Sequence, residues 1–556
     1  MKNQYILASA ALAALALSAC EDMDTTPNGG WVTEEQKKEV YSNDPDKGLA
    51  AIDGAFKMLN SYMPNESSIG SAHNDFGYPS IMLFTDANGE DAVSTLIGYN
   101  WFSHEIRFTD RSISSYVQQM VWQDFYSYIS AANTVVASFD DNSTAADDLF
   151  NIAQGYALRA FCYFQMAQMY QFTYVGHEDS PCVPIVTDEN SDECALNGAK
   201  RATVKEVYDQ VYSDHDKAIE HLASAAKLGK TRKGKYLIDL ATAYGLRARV
   251  NLVTRNWAAA LSDANNAIEK SSAKPASIAG VSVPTFYDIA EDNWMWGIDV
   301  AETDETVSSG IVNWISMLGS LNYGYANPSG GFRISSKLFA SIPETDVRKG
   351  WWLNEDGVAQ HVSNGAAVNH ITGSLASTCA VYFECEVGEF YLPLTNVKFA
   401  PYKNVGGNTT NANDIPLMRI EEMYLIKAEA ELMSGADGLA TLTSFVKTYR
   451  DPEYSYTGSN VHEEIWRQRR IELWGEGMSW FDMMRLGVGI DRRNTGFEDL
   501  YVYKMEANDT KLLWQIPETE VEGNAALSEA DYNPVTPTPS PVTDEEVSIE
   551  DEKIAF

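Results

Sequence analysis

The segment from Gly234 to Lys270 does most to restrict what this chain can fold into. Tyr244, Ala248 and Leu252 recur four apart and mark one helix; Asn256 and Trp257 mark a turn; Ala260, Ala264 and Ala267 mark a second helix. Small residues at 248, 260 and 267 let two helices approach closely, so 234–270 is predicted to be a packed helical pair. Helical spacing recurs nearby. Ala51, Ile52, Ala55, Phe56, Leu59 and Met63 give one stripe, and Trp122, Phe125, Tyr126, Ile129 and Asn133 lie in another over 121–136. Ala153, Tyr156, Ala157, Ala160, Phe164 and Ala167 predict a long helix over 147–172. Further helices are expected at 417–433, 439–449 and 463–485, within a C-terminal helical block of 415–490. From about 275 to 410 Gly, Pro and Asn become frequent, and runs such as Trp294–Ile298 alternate like strands. That part reads as loop-rich, with a few short strands and helices laid over a mostly α-helical body.

No linker divides residues 49–533, which are read as one body. With 29 Tyr, 21 Phe and 13 Trp among 556 residues, its core is large enough to need no disulfide scaffold. Past Cys20 the cysteines are Cys162, Cys182, Cys194, Cys379 and Cys385, an odd and sparse set. Cys182–Cys194 and Cys379–Cys385 are candidates for local bridges, Cys162 is expected in the core, and no spacing suggests zinc. A formal charge of −37 repels phosphate backbones and argues against nucleic acid as a ligand.

The first 48 residues speak of location. Lys2 is a short positive region, and Tyr5 to Leu17 is apolar but shorter than the roughly 20 residues a membrane-spanning helix requires. It has the form of a signal-peptide core, so 1–19 is expected to be a cleaved signal. Leu17-Ser18-Ala19-Cys20 resembles the bacterial lipobox, which implies lipid on the Cys20 thiol and a polar tether over 20–48. Several acyl chains, at about 0.8 kcal/mol per buried methylene, would hold such a protein at a membrane durably. At the other end, residues 534–556 begin Pro-Val-Thr-Pro-Thr-Pro-Ser-Pro and turn acidic, and are expected to be a disordered tail.

The pair at 234–270 resembles a degenerate tetratricopeptide unit, with a generic helical hairpin as the alternative. Four stretches together resemble the SusD/RagB family of Bacteroidetes outer-membrane lipoproteins. They are Ala157-Leu158-Arg159-Ala160-Phe161; Arg201-Ala202-Thr203-Val204 through Asp214, Ala218 and Leu222; Arg419-Ile420-Glu421-Glu422-Met423-Tyr424-Leu425-Ile426-Lys427-Ala428-Glu429-Ala430; and Ile465 to Arg485, with Arg469, Arg470, Glu472, Glu476-Gly477 and Phe481-Asp482. Leu513-Trp514-Gln515-Ile516-Pro517, Glu520 and Asn524 close the pattern. The resemblance implies a tetratricopeptide-like α-α superhelix exposed on the cell surface. It implies capture of an oligomeric nutrient, commonly a glycan, and a SusC-like TonB-dependent barrel as partner. A RagB-type peptide cargo, or a scaffold without small ligand, remain as alternatives.

Residue by residue, Arg419 with Glu422, Glu472 with Glu476 and Arg469 with Glu472 lie three or four apart. Each pair is expected to share a helix face, and charged partners of opposite sign at that spacing to form solvated or partly buried ion pairs worth a few tenths of a kcal/mol. No His-Glu-x-x-His array, Gly-x-Ser-x-Gly elbow, phosphate loop or calcium loop is present in the sequence, so no catalytic residue, metal or cofactor is assigned. Stacking platforms for a sugar are sought among aromatic residues in irregular segments: Asn100 with Trp101, and Trp314 with Tyr323 and Tyr325. Trp294, Trp296, Trp351, Trp352, Trp466 and Trp480 are expected in the core.

Overall fold

A computed structural model describes residues 45–62, 73–94, 101–283, 285–326, 332–354, 392–534 and 537–556. The signal segment with Cys20, Asn100, Cys379 and Cys385 lie outside these. The principal helices are α1 (Pro45–Lys57), α2 (Tyr78–Asn88), α3 (Tyr116–Ala137), α4 (Ala146–Tyr170), α5 (Val204–Lys227), α6 (Leu240–Val253), α7 (Trp257–Lys270), α8 (Ile420–Met433), α9 (Gly438–Tyr449), α10 (Val461–Glu472) and α11 (Ser479–Arg485). The fold is mostly α, as expected. Its strands are short antiparallel pairs: β1 (Ala92–Val93) with β5 (Arg333–Ile334), β2 (Pro181–Pro184) with β3 (Arg201–Thr203), β4 (Trp294–Ile298) with β6 (Ile415–Arg419), and β7 (Ile490–Asp491) with β8 (Lys504–Met505).

Helices packed on their sequence neighbours build the body. α4 lies between α3 and α5, α6 packs on α7, α7 on α8, and α8 on α9. Ala248, Ala260, Ala264 and Ala267 are fully buried in the α6–α7 contact, which is why that pair needs small side chains. At α3–α4 the approach is closer still: a Cβ on Gly155 would sit 2.9 Å from the Ala132 carbonyl oxygen. Arg159 on α4 then ties three elements. It donates to both oxygens of Asp214 on α5 at 2.8 Å, to Asn133 of α3 at 2.7 Å, and to Asp188 at 2.6 Å. Thr203 and Glu206 form a reciprocal capping box that starts α5, and the Asp239 side chain caps α6.

The structure corrects several expectations. Residues 417–419 belong to β6, paired across to β4, and the helix begins only at Ile420. The helix expected over 463–485 is two helices, because Gly475 (φ 75°) and Gly477 (φ 69°) turn the chain between α10 and α11. Cys182 and Cys194 are free thiols; Cys182 points into the core from β2. Residues 537–556 are not a free tail: Glu552 is buried at 8% exposure against Lys337 and Arg470.

The largest correction concerns the signature charges. Glu472 is fully buried and accepts from Arg450 (2.8 Å to each oxygen), Arg419 (3.0 Å) and Arg348 (3.2 Å). Arg419 also holds Glu476 at 2.8 and 2.9 Å and Glu421 at 3.2 Å. Arg469 pairs with Asp482 rather than Glu472, and Glu422 takes both its bonds from Arg249 on α6. These are buried cross-links between segments, not surface pairs along a helix. Burial opposes the charge on Glu472, but Arg450, Arg419 and Arg348 outweigh it and hold the carboxyl well below its usual range. Beside them Lys398, pushed down to about 8 by burial, donates to Glu476 and to the Glu472 and Trp474 carbonyls.

Candidate functional site

The loop-rich region is tied together internally by asparagines. Asn313 accepts from the Ser316 amide at 3.0 Å and starts a short helix, Trp314–Leu318. Asn322 donates to Asn411 at 2.8 Å, Asn411 donates to the Tyr323 carbonyl at 2.8 Å, and the Tyr323 amide donates to the Asn408 carbonyl at 2.9 Å. Gly324 lets the chain pass close to Ser316, where a Cβ would fall 2.6 Å from the Ser316 Cα. The Tyr325 amide donates to the Ser316 hydroxyl at 3.0 Å, which fixes the Tyr325 ring.

That ring joins Trp101 and His73 in a compact aromatic cluster. Ring centroids are 4.5 Å apart for His73 and Trp101, 5.5 Å for His73 and Tyr325, and 5.9 Å for Trp101 and Tyr325. A short contact links His73 Nδ1 to the Tyr325 hydroxyl. Behind the cluster the Asn74 amide donates to the Trp101 carbonyl at 3.1 Å, and the Tyr116 hydroxyl donates to Asn74 at 2.8 Å. Burial, with Glu105 nearby, pushes the Tyr116 phenol upward, so it stays protonated and acts as a donor. Trp101 is half-buried, and its Nε1 is enclosed with no acceptor among the described residues. Tyr323, at 39% exposure, lies two residues from Tyr325.

The structure therefore brings together Trp101 and Tyr325 of the expected platform residues, Trp101 half-buried and Tyr325 buried at 9% exposure behind it. It removes Trp314, which is 1% exposed and packs edge-on against Phe399 at 5.0 Å. A ring with no open face cannot stack on a ligand. Trp294, Trp296, Trp351, Trp352, Trp466 and Trp480 are core, as expected. His73, Asn74 and Tyr116 were not singled out in the sequence, because a lone His or Asn carries no motif; only the fold sets them beside Trp101.

Two hollows lie apart from the cluster. A cavity of about 240 Å³ lies beside α1 and β4, lined by Asp53, Phe56, Lys57, Tyr236, Asp299 and Asp304. Its charges are largely satisfied from within, Lys57 by Asp304 at 2.9 Å and Asp53 by the Tyr236 hydroxyl at 2.8 Å. A shallow groove of about 710 Å³ follows the outer face of α3, past Gln119, Gln123, Ser127, Ser130 and Thr134. Among the described residues no group of three or more His, Cys, Asp or Glu is placed to hold a metal ion. The chemistry of the aromatic cluster is that of a stacking surface rather than of proton transfer.

Two family models match the chain: one described as starch-binding associating with outer membrane, over residues 80–252, and one described as the SusD family, over residues 386–537. No curated protein matches it. Among solved structures, it is similar to a SusD-like carbohydrate binding protein from Bacteroides vulgatus at 22% identity, covering 88% of this chain and 98% of that one, with a TM-score of 0.68. It is likewise similar to a SusD superfamily protein from Bacteroides thetaiotaomicron, at 19% identity, 88% and 99% coverage and TM-score 0.67. Surface glycan-binding protein A from Bacteroides fluxus is similar at 16% identity, 88% and 99% coverage and TM-score 0.58. With both matched segments on the helical frame and the signature charges buried at its centre, this chain belongs to the SusD/RagB family.

Proposed function

We propose that this protein captures an oligosaccharide at the cell surface and hands it to a SusC-like TonB-dependent transporter, held at the outer membrane by lipid on Cys20. The observation that carries the capture step is the His73–Trp101–Tyr325 cluster, in which the half-buried Trp101 ring lies beside His73 and Tyr325 in irregular segments. An indole face takes the apolar C–H side of a sugar ring, and its N–H suits a sugar hydroxyl. The descriptions of the B. vulgatus and B. fluxus proteins as carbohydrate- and glycan-binding support a sugar over a peptide. Capture and handover need no bond to be made or broken, so the reading includes neither catalysis nor a cofactor. Among the described residues no helix is long and apolar enough to cross a membrane, and the lipobox at Leu17–Cys20 supports a lipid anchor.

Affinity electrophoresis through gels containing a panel of polysaccharides tests capture. Retardation in at least one gel, reduced in Trp101→Ala, is expected; no retardation in any gel would retire the glycan reading. Copurification from solubilised membranes tests the lid role, which fails if the protein is recovered alone. Radioactive palmitate should label the wild type and not Cys20→Ala.

A further inference from the structure

The 537–556 segment is rich in acids and the chain as a whole carries a net charge of −37, yet the segment docks. It is pinned at intervals. The Val542 amide donates to the Val502 carbonyl at 2.9 Å, the Asn494 amide to Asp544 at 2.6 Å, and the Ala555 amide to the Leu486 carbonyl at 3.1 Å. The Phe556 ring lies 3.3 Å from the Arg255 guanidinium. These contacts are peripheral. At the centre Glu552 enters a socket whose walls are two buried cations, Lys337 (side chain 1% exposed, 2.5 Å from the carboxylate) and Arg470 (0% exposed).

The socket is not an open charge patch. Arg470 also holds Asp91 at 2.5 Å and Glu90 at 2.7 Å, and Lys337 lies 3.3 Å from Glu90. Two cations therefore face three carboxyl groups in a buried place, where unbalanced charge is costly. We propose that Lys337 and Arg470 form a carboxylate-binding socket for an acidic peptide, supplied here by the chain's own 537–556 segment with Glu552 as the bound side chain.

Charge balance then predicts a proton link. Three carboxylates would outnumber the two cations, so Glu552 docks most easily when Glu90 is neutral. Burial first, and the Glu552 carboxyl next, push Glu90 up to about 7 against the pull of Lys337 and Arg470. The other charged groups about Glu90 are Asp491, whose backbone amide donates to it at 2.5 Å, and Arg492, which is turned to the Gly89 and Ala87 carbonyls. A proton held more tightly in the docked form makes docking strongest at mildly acidic pH and weaker as pH rises through about 7. The path to the socket is also preorganised. Asn533 is fixed by the Tyr170 and Trp514 carbonyls at 2.8 and 2.7 Å, and Pro537, Pro539 and Pro541 stiffen residues 537–541.

Hydrogen exchange of the full chain, read by mass spectrometry over 537–556 as protection factors, tests this. The wild type is expected to be protected at pH 5.5 and to lose protection by pH 8, while α4 is unchanged. Glu552→Ala and the isosteric Glu552→Gln are each expected to lower protection at least tenfold at pH 5.5, and Glu550→Ala, on an exposed neighbour outside the socket, to leave it as it is. Wild-type exchange at the intrinsic rate, or Glu552 variants no different from wild type, would overturn the socket. So would a Glu550→Ala variant that loses as much as Glu552→Ala, since general acidity would then be the cause. Protection that does not fall with pH would overturn the proton link and the charge balance behind it.

Discussion

Replacing Glu472 by Ala should cost far more than a surface ion pair is worth. The carboxylate takes bonds from three guanidinium groups, all fully buried, and deletion affects them unequally. Arg419 keeps Glu476 and Glu421, and Arg348 keeps both oxygens of Asp346 at 2.6 and 3.0 Å. Arg450 is left with Glu421 at 3.1 Å and the Ala276 and Tyr449 carbonyls. About one positive charge thus becomes uncompensated in the interior. Breaking a buried pair in this way costs ~3–5 kcal/mol, against a total stability of order 5–15 kcal/mol. Equilibrium urea unfolding should show that loss in Glu472→Ala, with Glu472→Gln also destabilised because it keeps the shape and loses the charge. A loss under about 1 kcal/mol, the value of a solvated pair, would refute the reasoning.

Other consequences follow from single sites. Burial pushes the Asp86 carboxyl up to about 8, although the Gly477 amide donates to it at 3.2 Å. Its folded value lies above its unfolded one, so its contribution is full below about pH 4 and is lost as pH rises through 8; urea midpoints of Asp86→Asn between pH 5 and 8.5 should fall less steeply than those of the wild type. Gly477→Ala should destabilise by ~1–2 kcal/mol from the left-handed backbone alone, with more from a Cβ placed 2.8 Å from the Met82 Cβ, read as a lowered thermal midpoint. Trp314→Ala should cost ~3–5 kcal/mol of stability as a core truncation, and any remaining folded protein should bind as the wild type does.

The parts legible in the sequence were those where one helix face is buried and the other wet. α7 shows this best: Ala260, Ala264 and Ala267 are buried while its other face is solvated. α2 escaped notice because all its residues from Tyr78 to Asn88 are buried, which erases periodicity. The 463–485 segment looked like one helix because its apolar pattern continues across Gly475 and Gly477, where the backbone reverses. Charged residues three or four apart suggested local pairs, whereas Arg419, Glu472 and Glu476 meet through tertiary packing. The docked 537–556 segment was illegible for a related reason: its acids and prolines read as solvated chain, and the cations that receive Glu552 lie at Lys337 and Arg470. At the candidate site, aromatic residues in irregular segments pointed to Trp101 and Tyr325. They pointed equally to Trp314, because composition cannot separate a half-exposed ring such as Trp101 from a buried one.

The central claim is that the His73–Trp101–Tyr325 cluster is the sugar-binding surface. Isothermal titration of the wild type and Trp101→Ala with an oligosaccharide from whichever polysaccharide retards the protein tests it most directly. Losing one stacked ring and its indole donor should weaken binding at least tenfold, about 1.4 kcal/mol, while the thermal midpoint stays close to that of the wild type. Equal affinity in the two proteins would contradict the account.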